Sequence, residues 1–205
     1  MNTPKIFFES GWLIDLGWDF NNPDETIADA ALPYVKKLFG PFESVWLENG
    51  VRLLEATSDL LAKEWKRREL TCTLVVHPEQ SSNSHPLILN VRKYYKMEEF
   101  TPELKRQFID TLYHELLHRM LDDYWQNNLE VGEFPLPALE SYKDEDIFVL
   151  AHLHLYAVQE AVFRKLKMDV EWEEMKTWVG HKSYQRALQI VAEEGYQYFV
   201  EDLMS

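Results

Sequence analysis

His114 and His118 stand four positions apart, with Glu115 directly after the first, in the run His114-Glu115-Leu116-Leu117-His118. If that run is helical, the two imidazoles leave one face, about 40° apart and one turn along. Neutral imidazoles at that spacing can grip one Zn²⁺ at Zn–N distances of about 2.0–2.1 Å. Glu115 lies roughly 100° round from His114. It is poorly placed to share the metal but well placed to touch a water held there. Two ligands and one base make up the chemistry of metal-assisted hydrolysis. The plain alternative is an amphipathic helix with two histidines on its surface.

The flanks carry a resemblance. Thr111, Leu112, Leu116, Leu117 and Met120 resemble the extended motif of the zincin metallopeptidases, which has Val or Thr three residues before the first His and uncharged residues around the core. Arg119 departs from it, because that position is usually uncharged. The resemblance implies an α+β fold: a helix-rich, zincin-like domain with a small sheet beside the HExxH helix. It also implies Zn²⁺ as cofactor, a peptide or protein as substrate, and Glu115 as the general base. In that family an edge strand beside the cleft binds substrate as an added strand, a role that would fall here to residues 87–92.

The elements that must position these residues follow from local signals. Thr101-Pro102-Glu103 opens the motif helix: Thr as cap, Pro at the first helical position, Glu toward the positive dipole end. The helix is expected to reach about Gln126. Ile109, Leu112, Tyr113, Leu116, Leu117, Met120 and Tyr124 form its apolar sector, with His114 and His118 beside it. Before it, Leu70–His77 and Leu87–Tyr95 read as strands, joined by the loop from Pro78 to Pro86. His77 and His85 flank that loop and read as solvated.

A catalytic zinc site has three protein ligands and an open position. The metzincin extension would require Gly at 121 and His at 124; the chain has Leu121 and Tyr124. Gluzincins take a Glu from a later helix, and SprT-like families a His. The stretch from about Asp144 to Lys167 reads as that helix and offers Glu145, His152, His154 and Glu160. Ala151, Leu155, Val158, Val162 and Leu166 share a sector that should face the core. His152 lies at its edge, with Glu145, Tyr156 and Gln159 within about 40°. Phase therefore favours His152 as third ligand. Glu160 has a surface pairing with Arg164, four residues on. Glu160, His154 and Glu145 stay open as alternatives. Tyr156, one turn past His152, is a candidate donor to an oxyanion, or a buried structural tyrosine.

The rest of the chain sets limits. Its 205 residues suffice for one domain with a sizeable core. A net charge of −14 argues against nucleic acid and against acidic membrane surfaces as partners. The acidity and the lack of a Cys-rich zinc ribbon also count against a SprT-like protease acting near DNA. No run of about 18 apolar residues marks a membrane span. The single cysteine, Cys72, reads as a small buried residue in a strand and suits a reducing cytoplasm. The first residues lack the basic and apolar regions of an export signal, which points to an intracellular protein or a trimmed one.

Ile6-Phe7-Phe8 reads as a short strand. Asn22-Pro23 reads as the start of a helix bent or broken at Pro33 and ended by Gly40-Pro41. A second helix is expected from Val51 to Arg68, its basic end complementing its own C-terminus. Residues 127–143, with Pro135 and Pro137, read as a loop, and the tail as two or three helices broken at Gly180 and Gly195. One rival class remains: a non-catalytic zinc protein in which four protein ligands fasten two helices of an interaction domain.

Overall fold

Three parallel strands and seven α-helices make up the described chain. The computed structural model describes residues 3–10, 25–76, 82–94, 100–125 and 136–205, and the side chains of all of these but 25–32 and 34. The expected cap at Asn22-Pro23, His77, residues 78–81 of the loop after it and Pro135 lie outside these residues. No described helix is long and apolar enough to cross a membrane. The chain groups into two compact units, Asn2–Val51 with Arg67–Leu116, and Arg52–Lys66 with Leu117–Ser205.

The first of these holds the sheet. β1 (Lys5–Ser10), β2 (Glu69–Val75) and β3 (Ile88–Asn90) lie in the order β1-β2-β3, all parallel. Parallel neighbours need a crossover, and α1 (Glu25–Leu61) supplies it between β1 and β2. This helix corrects the expectation of one helix bent or broken at Pro33 and ended by Gly40-Pro41, with a second starting at Val51: it is continuous through all of these residues. Each proline removes one backbone bond. Both prolines are exposed, while Val35, Phe42, Val45 and Trp46 are buried and offset the loss. Phe42 stacks on Phe108, with centroids 4.2 Å apart and planes at 9°, and meets Tyr94 edge-on at 5.2 Å. Gly50 is required where it stands, because a Cβ there would lie 2.3 Å from the Trp46 ring.

β3 is shorter than the strand expected over 87–95. The Asn90 side chain accepts from the Arg92 amide at 3.0 Å, and the turn so formed leads into a 3₁₀ helix at Arg92–Tyr94. The substrate-strand role expected for 87–92 also needs correction. β3 is an edge strand, but the chain's own Ser82-Asn83 already occupies its outer side. Asn83 and Ile88 exchange two backbone bonds of 2.9 and 2.7 Å, and the Asn90 amide donates to Ser82 Oγ at 3.2 Å.

α2 (Pro102–Trp125) carries the His-Glu-Leu-Leu-His run. Thr101 caps it as expected, its Oγ1 accepting from the Leu104 amide at 3.3 Å. Phe108, Ile109, Leu112, Tyr113, Leu116, Leu117 and Met120 are all buried.

In the second unit, α4 (Ile147–Lys165) is the core. Asp146 caps it by accepting from the Phe148 amide. Every residue from His152 to Phe163 is buried, as in a helix covered on all sides. The covering elements are α5 (Asp169–Trp178), α6 (Lys182–Glu194) and α7 (Tyr196–Met204). Gly195, at φ +86°, makes the turn between α6 and α7. The short α3 (Pro137–Glu140) lies within the stretch expected to be a loop and packs on α7.

The basic run after α1 also differs from expectation. α1 ends at Leu61, with Ala62 at φ +51°. Lys66 donates to the Asp123 carbonyl and lies over the Tyr124 ring, as Lys63 does at 5.6 Å. These cations complement the C-terminal end of α2, not that of their own helix.

Candidate metal centre

Helix α2 sets the first two side chains. His114 and His118 are half-buried, one turn apart, beside the fully buried sector that anchors the helix. His152 comes from α4. One ring nitrogen from each of His114, His118 and His152 lies within 4.8 Å of the others.

The surroundings of His152 fix its chemical form. Its Nδ1 lies 2.7 Å from the Phe148 carbonyl oxygen. A carbonyl only accepts, so Nδ1 carries the hydrogen and Nε2 keeps the lone pair. Burial lowers the pKa to about 4, against the pull of the Phe148 carbonyl and with a further push from His181. The ring is therefore neutral near pH 7, the state a metal ligand needs. Three imidazoles, one of them fixed through its far nitrogen to a carbonyl, form a donor set that suits Zn²⁺. On these grounds the residues fit the ion.

The other candidates on α4 have different partners. Glu145 accepts from Arg186 Nη2 at 2.7 Å and Nε at 3.0 Å. Glu160 pairs with Arg164 at 2.7 Å, as its spacing predicted, although Glu160 is buried where a surface residue was expected. His154 is also buried, with Nε2 2.8 Å from Asp202 Oδ2. Burial holds His154 below the ordinary histidine value despite the carboxylate. Tyr156 is buried with its ring 5.4 Å from that of His152.

Glu115 is 8 % exposed. Burial pushes its carboxyl up to about 8. The buried thiol of Cys72 on β2 is pushed far up by burial and, further, by the charges of Glu115 and Glu9. Arg119, the departure from the zincin pattern, is buried as well.

Sequence reasoning missed the contribution of α6. Tyr184 packs on His152 with centroids 4.2 Å apart and planes at 33°. His181 in turn lies 4.9 Å from Tyr184 and 6.1 Å from Phe148. No local spacing links these residues to the motif; the packing of α6 on α4 does.

No protein-family model matches the chain, and neither curated proteins nor solved structures give a significant match. The chemistry of the centre therefore rests on its own residues.

Proposed function

We propose that this protein is a zincin-like metallopeptidase that hydrolyses peptide bonds in a peptide or protein substrate. The observation that carries the reading is the convergence of His152 with the two histidines of the His-Glu-Leu-Leu-His run, their ring nitrogens within 4.8 Å. His114, His118 and His152 would hold Zn²⁺. A bound zinc ion supplies Lewis-acid polarisation of the scissile carbonyl and lowers the pKa of water at the site.

The remaining steps belong to the chain. In its carboxylate form, Glu115 takes a proton from the attacking water and returns it to the departing amine. It follows His114 directly on α2, so the helix that positions two ligands also positions the base. Its burial weakens competition from solvent for that proton. Tyr156 is the proposed hydroxyl donor to the developing oxyanion. A cytoplasmic location is part of the proposal, supported by the unpaired, buried Cys72 thiol.

The test measures zinc content and cleavage of a mixed peptide library by the wild type and Glu115→Gln. The expected result is about one equivalent of zinc in both and a fall in cleavage of roughly 10²–10⁴-fold in the variant. Equal cleavage by both proteins would remove Glu115 from the mechanism. Zinc binding without cleavage by the wild type would favour the structural zinc protein.

A further inference from the structure

His152 is held from four directions. The Phe148 carbonyl takes its Nδ1–H at 2.7 Å. The His118 ring meets it edge-on at 4.8 Å. Tyr156, from its own helix, lies 5.4 Å away at 41°. Tyr184, from α6, lies closest of these rings at 4.2 Å and nearest to parallel at 33°. Phe148 and Tyr156 are on α4 itself. They move with the backbone that carries His152, and so restrain the ring only locally.

Tyr184 is set by a different element. On α6, residues 184, 187 and 191 share a face, and Ala187, Ile190 and Val191 are buried. Arg186, on the same turn as Tyr184, grips Glu145 just ahead of α4 through two nitrogens. The rotation of α6 and its position along α4 are thereby fixed, and with them the Tyr184 ring. A histidine's outer torsion is broad and roughly two-fold, so a backbone hydrogen bond alone leaves the ring plane loosely defined. A flat side chain against its face removes that freedom.

From this arrangement we infer that Tyr184 is a positioning residue for His152: by stacking on the imidazole, it holds the Nε2 lone pair toward His114 and His118 before any metal arrives. The inference rests on the proposed metal site for its consequence, which is that α6 is part of the metal-binding apparatus. Outer partners that orient a metal-binding histidine typically contribute about 10–100-fold in affinity. The stacked ring is the group assigned that role here.

The experiment has two readouts. Zinc affinity is measured by competition with a chromophoric chelator for the wild type, Tyr184→Leu, Tyr184→Phe and Ile190→Ala. Leu keeps apolar bulk against α4 but removes the flat face, and Phe restores that face. Ile190→Ala weakens the same helix packing at a position buried among apolar neighbours. The second readout is the His152 ring in the metal-free protein, followed by side-chain ¹⁵N and ¹³C NMR. The expected result is that Tyr184→Leu loses roughly 10-fold or more in zinc affinity and shows an averaged His152 ring. Tyr184→Phe and Ile190→Ala should behave as the wild type in both. Unchanged affinity and an unchanged ring in Tyr184→Leu would overturn the inference and leave the metal site standing. So would an equal loss in Ile190→Ala, which would mean general packing, or in Tyr184→Phe, which would mean the hydroxyl. A wild type that takes no zinc would remove the metal reading. The metal-free ring would then decide the positioning role alone: averaging on Tyr184→Leu supports it, and no change overturns it.

Discussion

His118 and His152 meet edge to face, with ring centroids 4.8 Å apart and planes at 84°. One comes from α2, the motif helix, and the other from α4. The Nδ1 of His152 is engaged by the Phe148 carbonyl, which leaves Nε2 as the acceptor nitrogen of a buried ring. Together with one ring nitrogen each from His114 and His118, it forms a group that could hold a metal ion.

The proposed ligand set is separable by substitution. His114→Ala, His118→Ala and His152→Ala are each expected to lose most of the bound zinc on dialysis. Glu160→Ala and Glu145→Ala should keep about one equivalent, because each of these carboxylates is engaged by an arginine. Metal analysis of the five purified variants checks this. Full zinc in His152→Ala with loss in Glu160→Ala would reverse the assignment and make a glutamate the third ligand.

Tyr156→Phe tests the proposed oxyanion donor. The substitution keeps the buried ring against His152 and removes only the hydroxyl. Zinc content should stay at the wild-type level, while kcat falls by about 10²-fold or more. If kcat on a cleaved peptide is unchanged, the tyrosine serves packing alone.

The sequence made some of this legible, for physical reasons that can be traced. The motif, its Thr101 cap and its apolar sector are all set within one helix, where spacing fixes geometry. Helical phase favours His152 only on the premise that α4 has a solvent side. In fact the helix is buried around its whole circumference from His152 to Phe163. What separates His152 from its rivals is their partners: Arg186 for Glu145, Asp202 for His154, Arg164 for Glu160. Only the last lies close enough in the chain to be read from spacing. Tyr184 was invisible for the same reason, since it reaches His152 through the docking of one helix on another.

The His154–Asp202 pair yields a stability prediction. Asp202 Oδ2 accepts from His154 Nε2 at 2.8 Å and from the Ala138 amide at 3.3 Å, so one carboxylate oxygen ties α7 to both α4 and α3. Asp202→Ala would leave a buried imidazole donor without its acceptor. The expected cost is about 2–3 kcal/mol, from the loss of hydrogen bonds to a charged group. For a chain of this length that lowers the melting midpoint by roughly 5–10 °C. Zinc content should not change, because the pair is distinct from the three clustered histidines. Thermal unfolding and metal analysis of the same preparation would show both. A drop in zinc with no thermal shift would mean the pair acts on the metal site instead.

The long crossover helix supplies the last prediction, since it was the element most misread. Local rules treat Pro33, Gly40 and Pro41 as stops, yet α1 continues to Leu61. The same rules say that replacing a mid-helix glycine with alanine should stabilise a helix by about 1 kcal/mol. At Gly50 the opposite is expected. A Cβ there would lie 2.3 Å from Cδ2 and Cε3 of Trp46, far inside van der Waals contact. Trp46 is 2 % exposed and its ring cannot swing away without disturbing the core. Overpacking of this kind costs about 1–3 kcal/mol, enough to offset the gain in helix propensity. Gly50→Ala should therefore be destabilised overall, whereas Gly40→Ala, where nothing lies within 4 Å of the added methyl, should be neutral or stabilised. Shrinking the ring relieves the clash, so Gly50→Ala placed on a Trp46→Leu background should cost markedly less than on the wild type. Denaturant unfolding of the four proteins measures this coupling. Equal costs on both backgrounds would show that Trp46 does not set the requirement for glycine, and that the close approach in α1 has no energetic weight.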